Sequence, residues 1–169
     1  MDTTQMLIRL SHYPSDAAQQ LPSLDAGQLN AHPAGHPNSI AWLLWHTGRQ
    51  IDVQLAALRG RPELWDDFRA TFALGELGDS LGYGHSRTEA AGIVVDNQQL
   101  LLDYLEATME AYRHYVTTLN PSEMDEVIDT HWDPPVTRGV RLLSILDDAI
   151  THMGQAAYAA GALTAPDSE

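Results

Sequence analysis

Asp148 and His152 stand four residues apart. On a helix that spacing puts both side chains on one face, about 40° apart and one turn above the other. Such a pair can accept a divalent cation, or it can be a polar pair held at a helix seam. Leu142, Ile145, Leu146, Ala149, Met153 and Ala156 form the apolar stripe of the same segment, and Asp148, His152 and Gln155 line one edge of it. They are therefore not on the fully solvated face. His46 lies in a second segment that is apolar over most of its circumference. Alone, it reads as a hydrogen-bonded core histidine. Together, two imidazoles and one carboxylate from two helices make a three-ligand set with open positions. That set suits catalytic zinc or another divalent transition metal, with nickel, iron and manganese accepting the same donors.

Other residues surround this set. Arg49 follows His46 by three positions, on the same side, and can hold a substrate carboxylate or pair with Asp52. Tyr83 and His85 lie in the run Gly82-Tyr83-Gly84-His85, whose glycines allow a tight fold over a bundle mouth. His85 is a fourth ligand, a general acid or base, or a surface residue. Gln155, a turn beyond His152, can orient a ligand or an ordered water. Trp42 reads as core or as the wall of a cofactor pocket. Arg138 and Arg141 open the last helical segment, where a cation opposes the helix dipole. Their placement points to an anionic ligand or to neighbouring Asp129 and Asp133. His32, His36, His114 and His131 carry no spacing signal. No Glu-x-x-His occurs, which excludes the usual di-iron bundle pattern. His-Glu-x-x-His and Gly-x-x-x-x-Gly-Lys are also missing, the latter against an NTPase.

Four helical segments can position these residues. The first spans Thr3 to Gln20, with Pro14 as a break or kink. Leu21 to Pro37 is a Pro- and Gly-bearing loop with one helical turn at Leu24–Leu29. The second helix is capped by Asn38 or Ser39 and runs to Leu58, ahead of Gly60 and Pro62. Its stripe is Ile40, Leu43, Leu44, Thr47, Ile51, Leu55 and Leu58. Arg61 to Gly84 is a long Gly-rich, aromatic loop with short helical pieces. The third helix opens on the capping box Ser86-Arg87-Thr88-Glu89 and runs to Leu119. The fourth spans Val140 to Ala160, with Gly161 as its C-terminal cap. Strand signals are weak throughout. The fold class is all-α: an antiparallel four-helix bundle with a long loop between helices 2 and 3, as one domain over 1–161 and a flexible tail at 162–169.

The 169 residues carry 9 Lys plus Arg against 23 Asp plus Glu, a net charge of −14, which disfavours nucleic acid and anionic membrane surfaces. No cysteine is present, so disulfides, thiolate metal sites and cysteine nucleophiles are excluded. The N-terminus lacks the basic and apolar regions of a secretory signal, and no apolar run reaches the roughly 18 residues of a membrane span. A cytoplasmic protein is expected.

Three blocks resemble the DinB-like superfamily, and within it the actinobacterial branch related to mycothiol-dependent enzymes. They are Ser39-Ile40-Ala41-Trp42-Leu43-Leu44-Trp45-His46-Thr47-Gly48-Arg49-Gln50-Ile51-Asp52, the loop Gly82-Tyr83-Gly84-His85, and Asp147-Asp148-Ala149-Ile150-Thr151-His152-Met153-Gly154-Gln155-Ala156-Ala157-Tyr158. The resemblance implies a four-helix bundle with one divalent metal at positions matching His46, Asp148 and His152. Asp148 stands where the thiol-isomerase branch commonly has Glu. It also implies activation of a low-molecular-weight thiol such as mycothiol, in an S-transferase or thiol-dependent isomerase acting on a small electrophile. Two other readings remain: metal-dependent hydrolysis by an activated water, and a non-enzymatic ligand-binding or stress-response accessory bundle. A homodimer through an exposed apolar helix face is expected.

Overall fold

The computed structural model describes residues 2–165. Met1 and residues 166–169, the end of the expected tail, lie outside the described residues. The chain is predominantly helical: α1 (Thr3–Leu10), α2 (His12–Gln19), α3 (Ala26–Leu29), α4 (Ile40–Arg59), α5 (Trp65–Phe72), α6 (Gly75–Gly78), α7 (Arg87–Gly92), α8 (Gln98–Thr118), α9 (Pro121–Met124) and α10 (Arg138–Thr164). A two-stranded antiparallel hairpin, β1 (Val127–Asp129) with β2 (Val136–Thr137), precedes α10. No helix of the described residues is long and apolar enough to cross a membrane.

The central helix is α4, which packs most extensively against α8 on one side and α10 on the other. Ser39 caps it by accepting a hydrogen bond from Trp42 N, and Gly60 ends it in the left-handed conformation. Every residue from Ile40 to Asp52 is buried, so its polar side chains must find partners inside the protein. At Gly48 the Tyr104 ring of α8 comes close: a Cβ there would stand 2.6 Å from Tyr104 Cδ1. The core fills the seams of α4 with Leu44, Trp45, Ile51, Leu101, Leu105, Ile145 and Leu146. Both α1 and α2 pack across α8 and α10.

Several sequence boundaries shift. The first helix breaks at Ser11, upstream of Pro14. Pro14 then sits in the first turn of α2, where its missing N–H costs nothing, and α1 stops at Leu10, the residue whose carbonyl the proline ring would strike. The expected third helix is two helices. The capping box at Ser86 and Glu89 does form, but it starts only the six-residue α7. Residues 93–96 then lie outside any helix or strand, starting from an extended Ile93. Asn30 pins this stretch by accepting from Val95 N (3.0 Å) and donating to Val95 O (3.2 Å), and buries Ile93 and Val95. Asn97 caps α8 afresh. The last helix begins two residues early on Thr137 and passes through Gly161 to end at Thr164. Gly161 is thus not its cap, and residues 162–164 of the expected tail are helical.

Candidate metal centre

His46 reaches the centre from α4, and Asp148 and His152 from α10. Thr47 Oγ1 donates to Leu43 O, and Gln50 Nε2 donates to Ile145 O. Asp52 accepts from Leu64 N, Trp65 N and Tyr104 Oη. His46, 5% exposed, donates from Nδ1 to the Leu81 carbonyl at 2.6 Å. A carbonyl only accepts, so the proton sits on Nδ1 and the Nε2 lone pair is free. That lone pair faces Asp148 Oδ2 at 3.8 Å. On α10, the i, i+4 spacing brings His152 Nε2 to 3.4 Å from Asp148 Oδ1. Gln155 Oε1 lies 2.9 Å from His152 Nδ1 and accepts its hydrogen bond. One ligand atom from each of His46, Asp148 and His152 thus lies within 4.8 Å of the others.

The loop after α6 makes this possible. Gly82 has φ +84°, and a Cβ there would stand 2.8 Å from Trp45 Cζ3, 3.0 Å from His46 Nδ1 and 3.2 Å from Trp42 Cζ2. Only glycine lets the loop lie flat on these rings and deliver the Leu81 carbonyl. Trp42 stacks on His46, with centroids 4.6 Å apart and 14° between planes. His152 meets His46 edge-on at 4.7 Å.

Electrostatics divides the two histidines. Burial lowers His46 below the ordinary imidazole pKa, and His152 nearby adds to this, while Leu81 and Asp148 act in the other direction. Burial also pulls on His152, but Asp148 and Gln155 outweigh it and raise the pKa above ordinary. Asp148 Oδ2 is buried and hydrogen-bonds to nothing, although 39% of the side chain is exposed. A carboxylate oxygen without a partner, facing a free imidazole lone pair, is two acceptors meeting with no donor between them. A divalent cation fits that deficit, and the nitrogen–nitrogen–oxygen donor set is ordinary for one. Leu81 and Gln155 would hold the imidazoles in the tautomers such binding needs.

The remaining sequence candidates stand apart from the three ligands. Arg49, 1% exposed, donates to Ser80 O, Asp79 O, Glu63 Oε2 and Tyr104 Oη, and lies over the Trp65 ring at 4.8 Å. Of its two expected uses it takes the internal pairing, with Glu63 (2.8 Å) closer than Asp52 (3.7 Å). Its donors face inward, away from any incoming carboxylate. His85 accepts from Trp42 Nε1 at Nδ1 (3.3 Å) and stacks on Trp45. Its Nε2 meets Ser80 Oγ at 2.8 Å, and Ser80 itself donates to Leu77 O. Both ring nitrogens of His85 are therefore spent, which leaves none for a metal. Tyr83 is 89% exposed on the same loop. Arg141 pairs with Asp129 and Arg138 with Glu126, so the acidic partners at the start of α10 are the protein's own. Sequence reasoning missed the Leu81 carbonyl, since a backbone group has no residue-type signal. The glycines beside it were the only trace.

A solved structure of a conserved protein from Enterococcus faecalis is similar to this chain over its length. It shares 34% identity, with a TM-score of 0.82, over 97% of this chain and 96% of that one. No curated protein matches the chain. The DinB superfamily profile matches residues 10–156, and with the helical fold and the seam geometry just described, the chain belongs to the DinB superfamily.

Proposed function

We propose that the protein is a metal-dependent enzyme of thiol S-transferase or thiol-dependent isomerase type. It holds one divalent ion through His46, Asp148 and His152, with zinc the favoured metal. The observation that carries this is the free Nε2 of His46 facing the unpartnered Oδ2 of Asp148. Such an ion supplies Lewis acidity, which favours the thiolate form of a coordinating thiol at neutral pH. The chain has no cysteine, so the thiol is a cosubstrate, of the mycothiol type, and the electrophile is a small molecule. Trp42 and Trp45 wall off the protein side of the centre, and the exposed part of Asp148 marks the open side. Tyr83, one residue from Gly82, meets a substrate at the rim. The same three ligands serve a hydrolase using water, and thiol dependence separates the two.

The test begins with plasma-emission metal analysis of the purified protein and of His46→Ala. Wild type should carry about one equivalent and the variant almost none. Equal metal content in both refutes the site. Turnover of a model electrophile is then measured with and without zinc, and with and without mycothiol. Turnover that needs both supports the transferase, and turnover without thiol moves the reading to hydrolysis. No turnover under any of these conditions leaves a ligand-binding bundle.

A further inference from the structure

A pocket of about 500 Å³ opens beside the metal centre, between the 33–38 loop, the start of α4, Arg87 of α7 and the second half of α10. Its volume is in the range that holds a small organic molecule rather than a lone ion. The walls are mostly apolar, with Leu43, Ala159 and Tyr158 among them. Two features distinguish it from the rest of the surface. Although the chain carries 23 acidic residues, none lines this pocket, whereas Arg87 and His36 do. Arg87, like Arg9, Arg59 and Arg61, has no carboxylate within ion-pair distance among the described residues, unlike Arg49, Arg69, Arg113, Arg138 and Arg141. Its Nη1 donates to Gly35 O at 2.9 Å, which fixes the loop and leaves the rest of the guanidinium fork free. His36 accepts from Asn38 N at Nδ1 (3.1 Å), so its Nε2 carries a proton to donate.

The second feature is Gln155. It lines the pocket, and its Oε1 accepts a hydrogen bond from His152 Nδ1. Its amide nitrogen donates to no protein acceptor among the described residues. One side chain thus touches both the pocket and a metal-ligand histidine.

We propose that this pocket binds an apolar organic acid, with its hydrocarbon body against Leu43, Tyr158 and Ala159 and its carboxylate at Arg87 and His36. Gln155 forms the wall shared with the metal centre. As the identity of the substrate, this rests on the metal-dependent reading above; as a binding site, it stands separately. In a protein of net charge −14, an anion needs such a locally acid-free, cation-lined entry.

The experiment titrates metal-stripped protein calorimetrically with 4-phenylbutyrate and with its uncharged counterpart 4-phenylbutanol, and measures zinc uptake on the same preparation. The acid should bind, and the alcohol about 10-fold more weakly, the weight of one charge-assisted hydrogen bond. Arg87→Ala should bring the acid down to the level of the alcohol. Ala159→Trp, which fills the pocket from a helical position, should abolish binding of both while zinc uptake stays unchanged. Circular dichroism confirms that each variant is folded. Equal affinity for acid and alcohol, or wild-type affinity in Ala159→Trp, overturns the proposal. Binding of the acid without zinc uptake keeps the pocket and removes the metal reading. Zinc uptake without binding of the acid does the reverse.

Discussion

Gly82→Ala is the sharpest single perturbation of the centre. The backbone at Gly82 has φ +84°, and placing an L-residue there costs about 1–2 kcal/mol. The new Cβ also meets Trp45 Cζ3 at 2.8 Å, His46 Nδ1 at 3.0 Å and Trp42 Cζ2 at 3.2 Å. All three are ring atoms in the packed core, so none can swing away as a flexible side-chain end would. Overpacking of this kind costs about 1–3 kcal/mol, for a total loss of about 2–5 kcal/mol. The loop relieves the clash by lifting, and lifting takes the Leu81 carbonyl off His46 Nδ1. Loss of such a supporting bond weakens metal binding about 10–100-fold. Gly84→Ala is the control. Gly84 has φ +76° but nothing within 4 Å of its Cβ, so only the backbone cost of about 1–2 kcal/mol applies. Urea denaturation gives stability, and competition with a chromophoric chelator gives zinc affinity. Gly82→Ala should lose on both counts and Gly84→Ala on stability alone. Wild-type zinc affinity in Gly82→Ala, or equal losses in the two variants, would refute the claim that close approach at Gly82 positions His46.

Two further outcomes concern the scaffold. Tyr104→Phe removes a hydroxyl that donates to Asp52 Oδ2 (2.8 Å) and accepts from Arg49 Nη1 (3.3 Å). It should destabilise the protein by about 1–3 kcal/mol in urea while metal content stays at the wild-type level, and a parallel loss of metal would contradict the separation of the two clusters. Glu89 accepts from Ser86 Oγ and Ser86 N, and these bonds hold its carboxyl below the ordinary glutamate range. A depressed carboxyl favours the folded state above the unfolded pKa and loses that effect as pH falls through the range from about 5 downward. The urea midpoint of Glu89→Gln should therefore vary less with pH across that window than wild type, and an equal or steeper acid limb would show that the capping box carries no linkage.

The grouping of His46, Asp148 and His152 as a candidate metal site was readable because its information is local. An i, i+4 pair on one helix edge shares a face whatever the fold around it. His46 stands out because imidazole is expensive to bury in a helix as apolar as Ile40–Arg59. What was unreadable depended on long-range partners. The break after Gly92 is invisible locally, since Ile93-Val94-Val95 continues an acceptable apolar pattern. It exists because Asn30, 65 residues away, bonds both backbone groups of Val95. The capping box at Ser86 predicts one helix to Leu119, whereas Asn97 starts α8 afresh. The hairpin at Val127–Thr137 is too short for a period of two to register. Arg49 was ambiguous because its partners Glu63, Asp79 and Ser80 all come from the irregular stretch after α4.

Two polar clusters meet α4 about one turn apart, the one at Arg49 and Asp52 the more deeply buried, and they are built differently. At Arg49 and Asp52, acceptors and donors match: the carboxylate receives two backbone N–H groups and a phenol, and the guanidinium reaches two carbonyls, a carboxylate and the same phenol. A saturated network of this kind fixes α5 and α6 to α4 and needs nothing more. At His46, the protein supplies a partner only to the outer nitrogen. His46 Nε2 and Asp148 Oδ2 face one another as acceptors with no donor between them. Folding alone gains little from holding acceptors together, and an apolar seam of equal volume would pack at least as well. The same helix can evidently satisfy buried polar groups completely one turn on. The deficit at His46, Asp148 and His152 is therefore a property of that position, and its chemistry calls for a cation.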